Sequence, residues 1–237
     1  MNTIIPSVSL IETRDDIVRN IVSLRQSQDL FDDLSVDAAD WALAQQVESD
    51  TKPLPYQSHT PVIHRPFEEA SWFDAIGWPF KNWQKSRFSD GSFGVWYGSE
   101  SVETSTYESA YHWYFGFLAD AGFQRENVVS ERKIYRVRCE AALLDFRPVA
   151  QMCPDILHKS DYSYAQRVGA RLQREGHPGL VVPSVRRAAG WNYVIFNSEV
   201  LSQPRLSCFL NYRLEGKNIR VEREPGVEWM SISVSDF

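Results

Sequence analysis

Residues 86–109, SRFSDGSFGVWYGSESVETSTYES, place a turn, a strand and the start of a helix next to one another. The small residues of SDGSFG indicate a turn, and VWYGS is typical of a short aromatic strand with glycine at its borders. Ser101 or Thr104 is then a suitable N-cap for a helix that we expect to run to about Gly122. This order predicts that the turn, the strand and the helix lie side by side.

A carboxylate sits in the first turns of that helix, among tyrosines. An unpaired buried charge is costly, so Glu108 needs partners. One interpretation is a structural ion pair with Arg65 or Arg87, and the residue pattern alone slightly favours it. The other is a carboxylate that does chemistry. Glu108 and His112 also have the i,i+4 spacing that can hold a metal, although a hydrogen bond along one helix face is the commoner outcome.

The composition limits the class of protein. The chain has 237 residues, of which 43% are hydrophobic and 13% aromatic, which predicts one large domain or one domain with an extra subdomain. The net charge of -6 gives no global reason to bind nucleic acid. Residues 1–50 carry about -7 of it and the remainder about +1. A near-neutral body with local arginines suits an anionic small molecule.

The absent motifs narrow the chemistry further. The sequence has no phosphate loop, GxGxxG, HExxH or GxSxG. Cys139, Cys153 and Cys208 are odd in number and form no CxxC, which favours a reducing compartment over disulfides or structural zinc. The sequence shows no signal peptide and no stretch of the roughly 20 apolar residues that span a bilayer. We therefore expect a cytoplasmic protein.

Two parts are predicted along the chain. Residues 1–50 are expected to be an acidic helical extension, because Thr13 can cap a first helix whose stripe is Ile17, Ile21 and Leu24. A second helix starts near Ser35. The acidic outer faces are read as solvated surface in preference to a partner-binding face.

Residues 51–237 are expected to form the body, after a proline-containing connector. ERKIYRVRCEAALLDF alternates like a strand, and GLVVPSV, NYVIFNS, CFLNYRLE and IRVERE are further strands. Residues 161–175 are predicted to be a helix with Gly176 after its C-terminus. This order favours an α+β fold over a regular βαβ array. Ser184 in PSVRRAAGWN can donate its hydroxyl to a ligand, or cap the turn that follows, which is commoner.

Taken together, these segments resemble the RES-domain family, named for a shared arginine, glutamate and serine. Its first motif, an arginine turn and then a strand ending in tyrosine, is matched by Arg87 in SRFSDGSFG and Tyr97 in VWYGSES. Its second is matched by Glu108 in ETSTYES, and its third, a Pro-Ser at a strand end, by Ser184 in LVVPSVR. An upstream arginine in a short strand is matched by Arg65 in VIHRPF.

The resemblance covers residues 60–210 and implies an ADP-ribosyltransferase-like fold, with central β-sheets flanked by helices. It implies a toxin of a bacterial toxin–antitoxin pair that consumes NAD. Some such proteins release nicotinamide and ADP-ribose 1''-phosphate with inorganic phosphate, and others have been viewed as ADP-ribosyltransferases acting on a protein. The implied partner is an antitoxin with a helix-turn-helix domain, in a complex that can hold a toxin homodimer. No metal, membrane or direct nucleic-acid contact is implied.

The roles implied by the resemblance suit the chemistry of these residues. Glu108 would stabilise the cationic ribose as nicotinamide leaves. Arg87 and Arg65 would hold the pyrophosphate or an incoming phosphate, because arginine forks match phosphoryl oxygens. Tyr97 would stack on the nicotinamide ring, and Ser184 would hydrogen-bond a ribose or phosphate oxygen. A non-catalytic interaction protein that keeps the fold is the alternative from another class.

Overall fold

The architecture is a large mixed β-sheet with a few helices against it, in a computed structural model that describes residues 8–23 and 73–237. The strands of these residues are β1 (Ser9–Val22), β2 (Trp96–Ser99), β3 (Val129–Asp145), β4 (Gly179–Pro183), β5 (Trp191–Ile195), β6 (Leu201–Glu215), β7 (Asn218–Glu224) and β8 (Val227–Ser233). The α-helices are α1 (Trp78–Lys81), α2 (Val102–His112), α3 (Ala119–Ala121) and α4 (Ser163–Arg174). The predicted α+β class is confirmed.

Shorter helical turns connect these elements. They are the π-helical turns Phe73–Gly77 and Trp113–Leu118 and the 3-10 turns Pro154–Leu157, Ser198–Val200 and Val234–Asp236. Ser101 caps α2 by accepting a hydrogen bond from the Thr104 amide at 3.1 Å. The helical run that begins with α2 ends at Gly122, whose φ of 76° is the left-handed conformation that glycine adopts without strain.

The strand order brings both ends of the described chain into one sheet. The order is β1-β2-β5-β4-β3-β6-β7-β8, and β1 also pairs with β3, so five strands close into a ring. β1 runs antiparallel to β3 from Ser9↔Asp145 to Val22↔Arg132. It meets β2 at Val18↔Ser99, while β3 and β4 are parallel. β6, β7 and β8 extend the sheet beyond the ring as antiparallel neighbours.

The helix predicted for the first part of the chain is wrong where the structure describes it, since residues 9–22 form β1. Ile17 and Ile21 are four residues apart, which puts them on one face of a helix but also on one face of a strand. The β-branched content of the segment favours the strand, and pairing with β3 along the whole length of β1 stabilises it. Thr13, predicted as a helix cap, is buried opposite Ala141.

Other predictions about the first half of the chain fall on residues that the structure does not describe. The second helix near Ser35, the connector 51–61, the strand around Arg65 and the boundary at residue 50 all lie outside the described residues. Residues 8–23 and 73–237 belong to one compact unit.

Helices α2 and α4 cover different parts of the sheet. Ala165, Val168 and Leu172 recur with helical spacing along α4, and they are buried in one cluster with Phe88 and residues of β4 and β5. Residues of α2 and of the π-helical turn after it share another cluster with β6, β7 and β8. Each helix is therefore held by its apolar face, which fixes the side chains at its border with the ring of strands.

Candidate active site

A cavity of about 600 Å³ lies where the ring of strands meets α2 and the turn before β2. Its walls come from β1, β2, β3 and β5, from the end of β4, from α2 and from the loop before α4. This volume is in the range of sites for small molecules and cofactors. The predicted residues Arg87, Tyr97 and Glu108 all line it.

Glu108 is held on one side by two donors from different strands. Its Oε1 accepts a hydrogen bond from Ser184 Oγ at 2.6 Å and another from Asn192 Nδ2 at 2.7 Å. The Asn192 amide is itself oriented, because its Oδ1 accepts from Ser99 Oγ at 2.7 Å. The carboxylate is therefore fixed by β2, β5 and the end of β4 together.

The ion pair that the pattern favoured for Glu108 does not form with Arg87. Among the described residues Glu108 has no ion-pair partner, although Arg87 is close enough for the two charges to attract. Arg65, the other predicted partner, lies outside the described residues. The half-buried carboxylate is thus stabilised by neutral donors, and its charge remains available to a ligand in the cavity.

Ser184 has the capping role that the sequence offered, and its hydroxyl donates to Glu108 where the sequence had offered a ligand. It follows the buried strand β4 at Pro183, and its Oγ accepts hydrogen bonds from the amides of Arg186 and Arg187 at 3.1 and 3.0 Å. The same hydroxyl donates to Glu108. Ser184 therefore caps its turn and also positions the carboxylate, so its proton already has an acceptor within the protein.

Arg87 lies over the ring of Tyr162, with 4.4 Å between its guanidinium carbon and the ring centroid. One of its terminal nitrogens donates to the carbonyl of His158 at 2.6 Å. Burial lowers the pKa of Arg87, while Tyr162 and Glu108 oppose the shift. These contacts hold the guanidinium at the rim formed by the loop before α4.

Helix α4 fixes the turn that carries Arg87. Gln166 donates to the carbonyl of Ser86 at 2.8 Å. Gly169 packs so closely that an added Cβ would lie 2.0 Å from the carbonyl oxygen of Phe88. Only glycine allows this approach of helix and turn. The position of Arg87 therefore depends on the packing of α4.

The ring of Tyr97 lines the cavity, and its hydroxyl contacts the turn that carries Arg87. The hydroxyl accepts from the Phe88 amide at 3.0 Å and shares a hydrogen bond of 2.9 Å with Ser86 Oγ. Burial raises the pKa of Tyr97 to about 12. It is therefore a neutral aromatic wall.

Sequence reasoning missed several residues of the cavity wall. Arg19 and Asn20 of β1 and Arg132 of β3 line the cavity together with Asn192. Arg19 was missed because its segment was assigned to a helix. Ile17, Arg19 and Ile21 are each two residues apart, which is the spacing of one face of a strand, and this was the signal that could have placed Arg19 on such a face.

His112 lines the cavity one helical turn after Glu108. Its side chain is exposed, but partial desolvation lowers its pKa, helped by Arg186 and Arg87 and opposed by Glu108.

Among residues 8–23 and 73–237 no group of three or more potential metal ligands occurs. In the same residues no helix is long and apolar enough to cross a membrane.

The site thus has a carboxylate, Glu108, and an arginine, Arg87, in the wall of one cavity, while Ser184 lies behind Glu108 and is not among the lining residues. The family model described as RES domain matches residues 59–215, and the chain belongs to this family. No curated protein matches the chain. A chain of the crystal structure of the M. tuberculosis MbcT-MbcA toxin-antitoxin complex is similar at 15% sequence identity and a TM-score of 0.46, over 85% of this chain and 86% of that one.

Proposed function

We propose that the protein is the toxin of a toxin–antitoxin pair and that it cleaves NAD at the nicotinamide–ribose bond, with inorganic phosphate as acceptor. The observation that carries this proposal is the fixed carboxylate of Glu108, held by Ser184 and Asn192 in a cavity whose rim bears Arg87. Membership of the RES-domain family supports it. An ADP-ribosyltransferase-like fold is part of the same proposal.

The proposed reaction needs a stabilised cation more than it needs an acid. The bond between the ribose carbon and the pyridinium nitrogen breaks, and its electron pair leaves with nicotinamide, which becomes neutral. Positive charge develops on the ribose in the transition state. A carboxylate fixed beside it stabilises that state more than the ground state, and the leaving group requires no proton. Glu108 is the carboxylate that we assign to this role.

The remaining residues would bind and orient the dinucleotide. Arg87 offers a guanidinium to phosphoryl oxygens, for which it would exchange its bond to the His158 carbonyl. Tyr97 offers a neutral ring for the nicotinamide. Ser184 acts through Glu108, since its hydroxyl proton is directed at that carboxylate. The sequence had assigned Ser184 to a ligand oxygen, and we now propose a positioning role.

The acceptor separates phosphorolysis from the alternatives. In the proposed step an oxygen of phosphate bonds to the ribose carbon, giving ADP-ribose 1''-phosphate. Water would give ADP-ribose instead, and a protein nucleophile would give an ADP-ribosylated protein. The same cavity serves all three, so the products decide among them.

The experiment is incubation with NAD in the presence and absence of phosphate, followed by mass spectrometry of the products. Glu108→Gln should remain folded, because the glutamine carbonyl can accept both hydrogen bonds, and should slow nicotinamide release by about 10²–10³-fold. Glu103→Gln is the matched control, because Glu103 is on the same helix and does not line the cavity. Cleavage by Glu108→Gln at the wild-type rate would refute the assignment.

The toxin role has its own test. Expression of the wild-type chain should lower cellular NAD and arrest growth, and Glu108→Gln should do neither. A partner with a helix-turn-helix domain, encoded beside this gene, should restore growth by blocking the cavity. If Glu108→Gln arrests growth as the wild-type chain does, NAD depletion is not the cause of the arrest.

A further inference from the structure

Two arginines occupy a separate part of the cavity wall, on β1 and β3. Arg19 donates to the backbone carbonyl of Tyr97 at 2.7 Å and lies 5.3 Å from the centroid of Trp96. Arg132 is only 7% exposed and donates from Nε to Asn20 Oδ1 at 3.0 Å. Both arginines line the cavity. In the register of β1 and β3, Arg19 is opposite Tyr135 and Arg132 is opposite Val22, three positions away, but the two side chains are close enough for the charge of Arg132 to act on Arg19.

These arginines lack the counter-charges that buried cations normally have. Within the described residues neither of them forms an ion pair, and Nε of Arg19 is buried without a hydrogen-bond acceptor. Burial, and then the charge of Arg132, lower the pKa of Arg19 to about 10. Two like charges that line one cavity repel each other and raise the free energy of the folded protein when no anion is bound between them. An anion in the cavity would remove that penalty.

The arginine pair is continuous with the Glu108 end of the cavity. The charge of Glu108 acts on Arg87 and His112, and the charge of Arg132 acts on both His112 and Arg19. Among the described residues that line the cavity, Glu108 is the one carboxylate, and Arg19, Arg87 and Arg132 are cations. A ligand that develops a cation beside Glu108 and carries phosphoryl groups for the arginines matches these charges.

We propose that Arg19 and Arg132 form a phosphoryl-binding subsite. Guanidinium forks match the oxygens of a phosphoryl group, and buried arginines are the usual way to hold one away from water. The subsite deepens the proposed NAD cleavage and rests on it for the source of the group, which is either the pyrophosphate of the dinucleotide or free phosphate. Binding of the anion itself is independent of any cleavage.

The test measures thermal stability and anion binding without turnover. In phosphate-free buffer at constant ionic strength, inorganic phosphate or ADP-ribose is titrated into the wild-type protein, and the melting temperature is followed. Arg19→Met should weaken the response at least 10-fold. It should also melt at the same temperature as the wild type without anion, or at a higher one, because it removes a buried charge that Arg132 repels.

Arg14→Met is the matched control. Arg14 is on the same strand, but it is 72% exposed and paired with Glu12 at 2.7 Å. Its loss should leave the anion response unchanged. If Arg19→Met does not fold, Arg132→Gln provides the second variant, because the shorter amide can still donate to Asn20.

Each outcome decides a point. A response to inorganic phosphate that Arg19→Met loses identifies free phosphate as the occupant, whereas a response only to ADP-ribose identifies the pyrophosphate. No response in the wild type, or an equal response in Arg19→Met, overturns the subsite. So does a large loss of anion-free stability in Arg19→Met, because Arg19 would then be a structural cation. If the wild-type protein responds to the anion but does not cleave NAD, the proposed function is refuted and the subsite is not.

Discussion

Replacing Ser184 by alanine tests how far the proposed cleavage of NAD depends on a fixed carboxylate. The serine hydroxyl donates to Glu108 Oε1 at 2.6 Å, and alanine removes that donor. Asn192 continues to donate at 2.7 Å, so the carboxylate keeps one of its two anchors. The variant therefore loosens Glu108 without removing its charge.

The expected magnitude follows from the strength of that hydrogen bond. A hydrogen bond to a charged group contributes about 1.5–3 kcal/mol. Since about 1.4 kcal/mol corresponds to a factor of ten in rate, full loss in the transition state would slow the reaction by roughly 10–150-fold. With Asn192 still in place, we expect about 10–50-fold. The loss should appear in kcat and leave KM nearly unchanged, because in the proposed mechanism Ser184 contacts Glu108 and does not itself bind the dinucleotide.

Steady-state release of nicotinamide measures both constants, and circular dichroism checks that the variant is folded. Ser184→Thr keeps a hydroxyl that can donate and accept, and it should recover most of the activity. Ser231→Ala, at an exposed position on β8, controls for the loss of any serine. A Ser184→Ala protein that keeps more than half of the wild-type kcat, or that changes KM alone, would refute the positioning role.

Two further predictions concern the turn that carries Arg87. Gly169→Ala should lower the free energy of unfolding by about 1–3 kcal/mol in urea titrations, because its Cβ would lie 2.0 Å from the Phe88 carbonyl oxygen. Gly116→Ala is the control, because an added Cβ there meets nothing within 4 Å, and it should not lower the free energy of unfolding. Equal effects of the two substitutions would contradict the packing argument. Burial raises the pKa of Tyr97 to about 12, so the folded protein holds a proton that the unfolded chain releases near pH ~10. This contribution to stability is complete below pH ~10 and is lost as the pH rises towards 12, so Tyr97→Phe should reduce the alkaline loss of stability; an unchanged profile would show that the hydroxyl is not protected.

The strands and helices of the second half of the chain could be read from the sequence because local patterns decide them. The alternation in β3 and the short apolar runs of β4 and β5 are confirmed. The predicted cap Ser101 and the end of the helical run at Gly122 are confirmed too. The strand β8 was missed because the apolar residues of VEWMSIS are divided between both faces, Val227 and Trp229 on one and Met230 and Ile232 on the other, and give no one-sided alternation.

The site could be predicted only in part, because its assembly depends on contacts between distant segments. The motifs indicated Glu108 and Ser184, but their hydrogen bond joins residues that only the fold brings together. Asn192 carried no local signal, since a single asparagine in a strand has many roles. Arg19 required β1 to be recognised as a strand, and that depended on a pairing partner that lies far along the chain.

The closure of the ring by β1 also sets when this cavity can exist. Val22 pairs with Arg132 and Ser9 with Asp145, so β1 leaves the ribosome long before its partner is made. At about 5–20 residues per second, the wait is roughly 5–25 s. During this time Arg19 has no cavity to face, and Glu108 still lacks Ser184. If the protein is the toxin proposed above, its nascent chain has no assembled site until most of it has been translated, and translation speed sets the interval in which the proposed partner can arrive first.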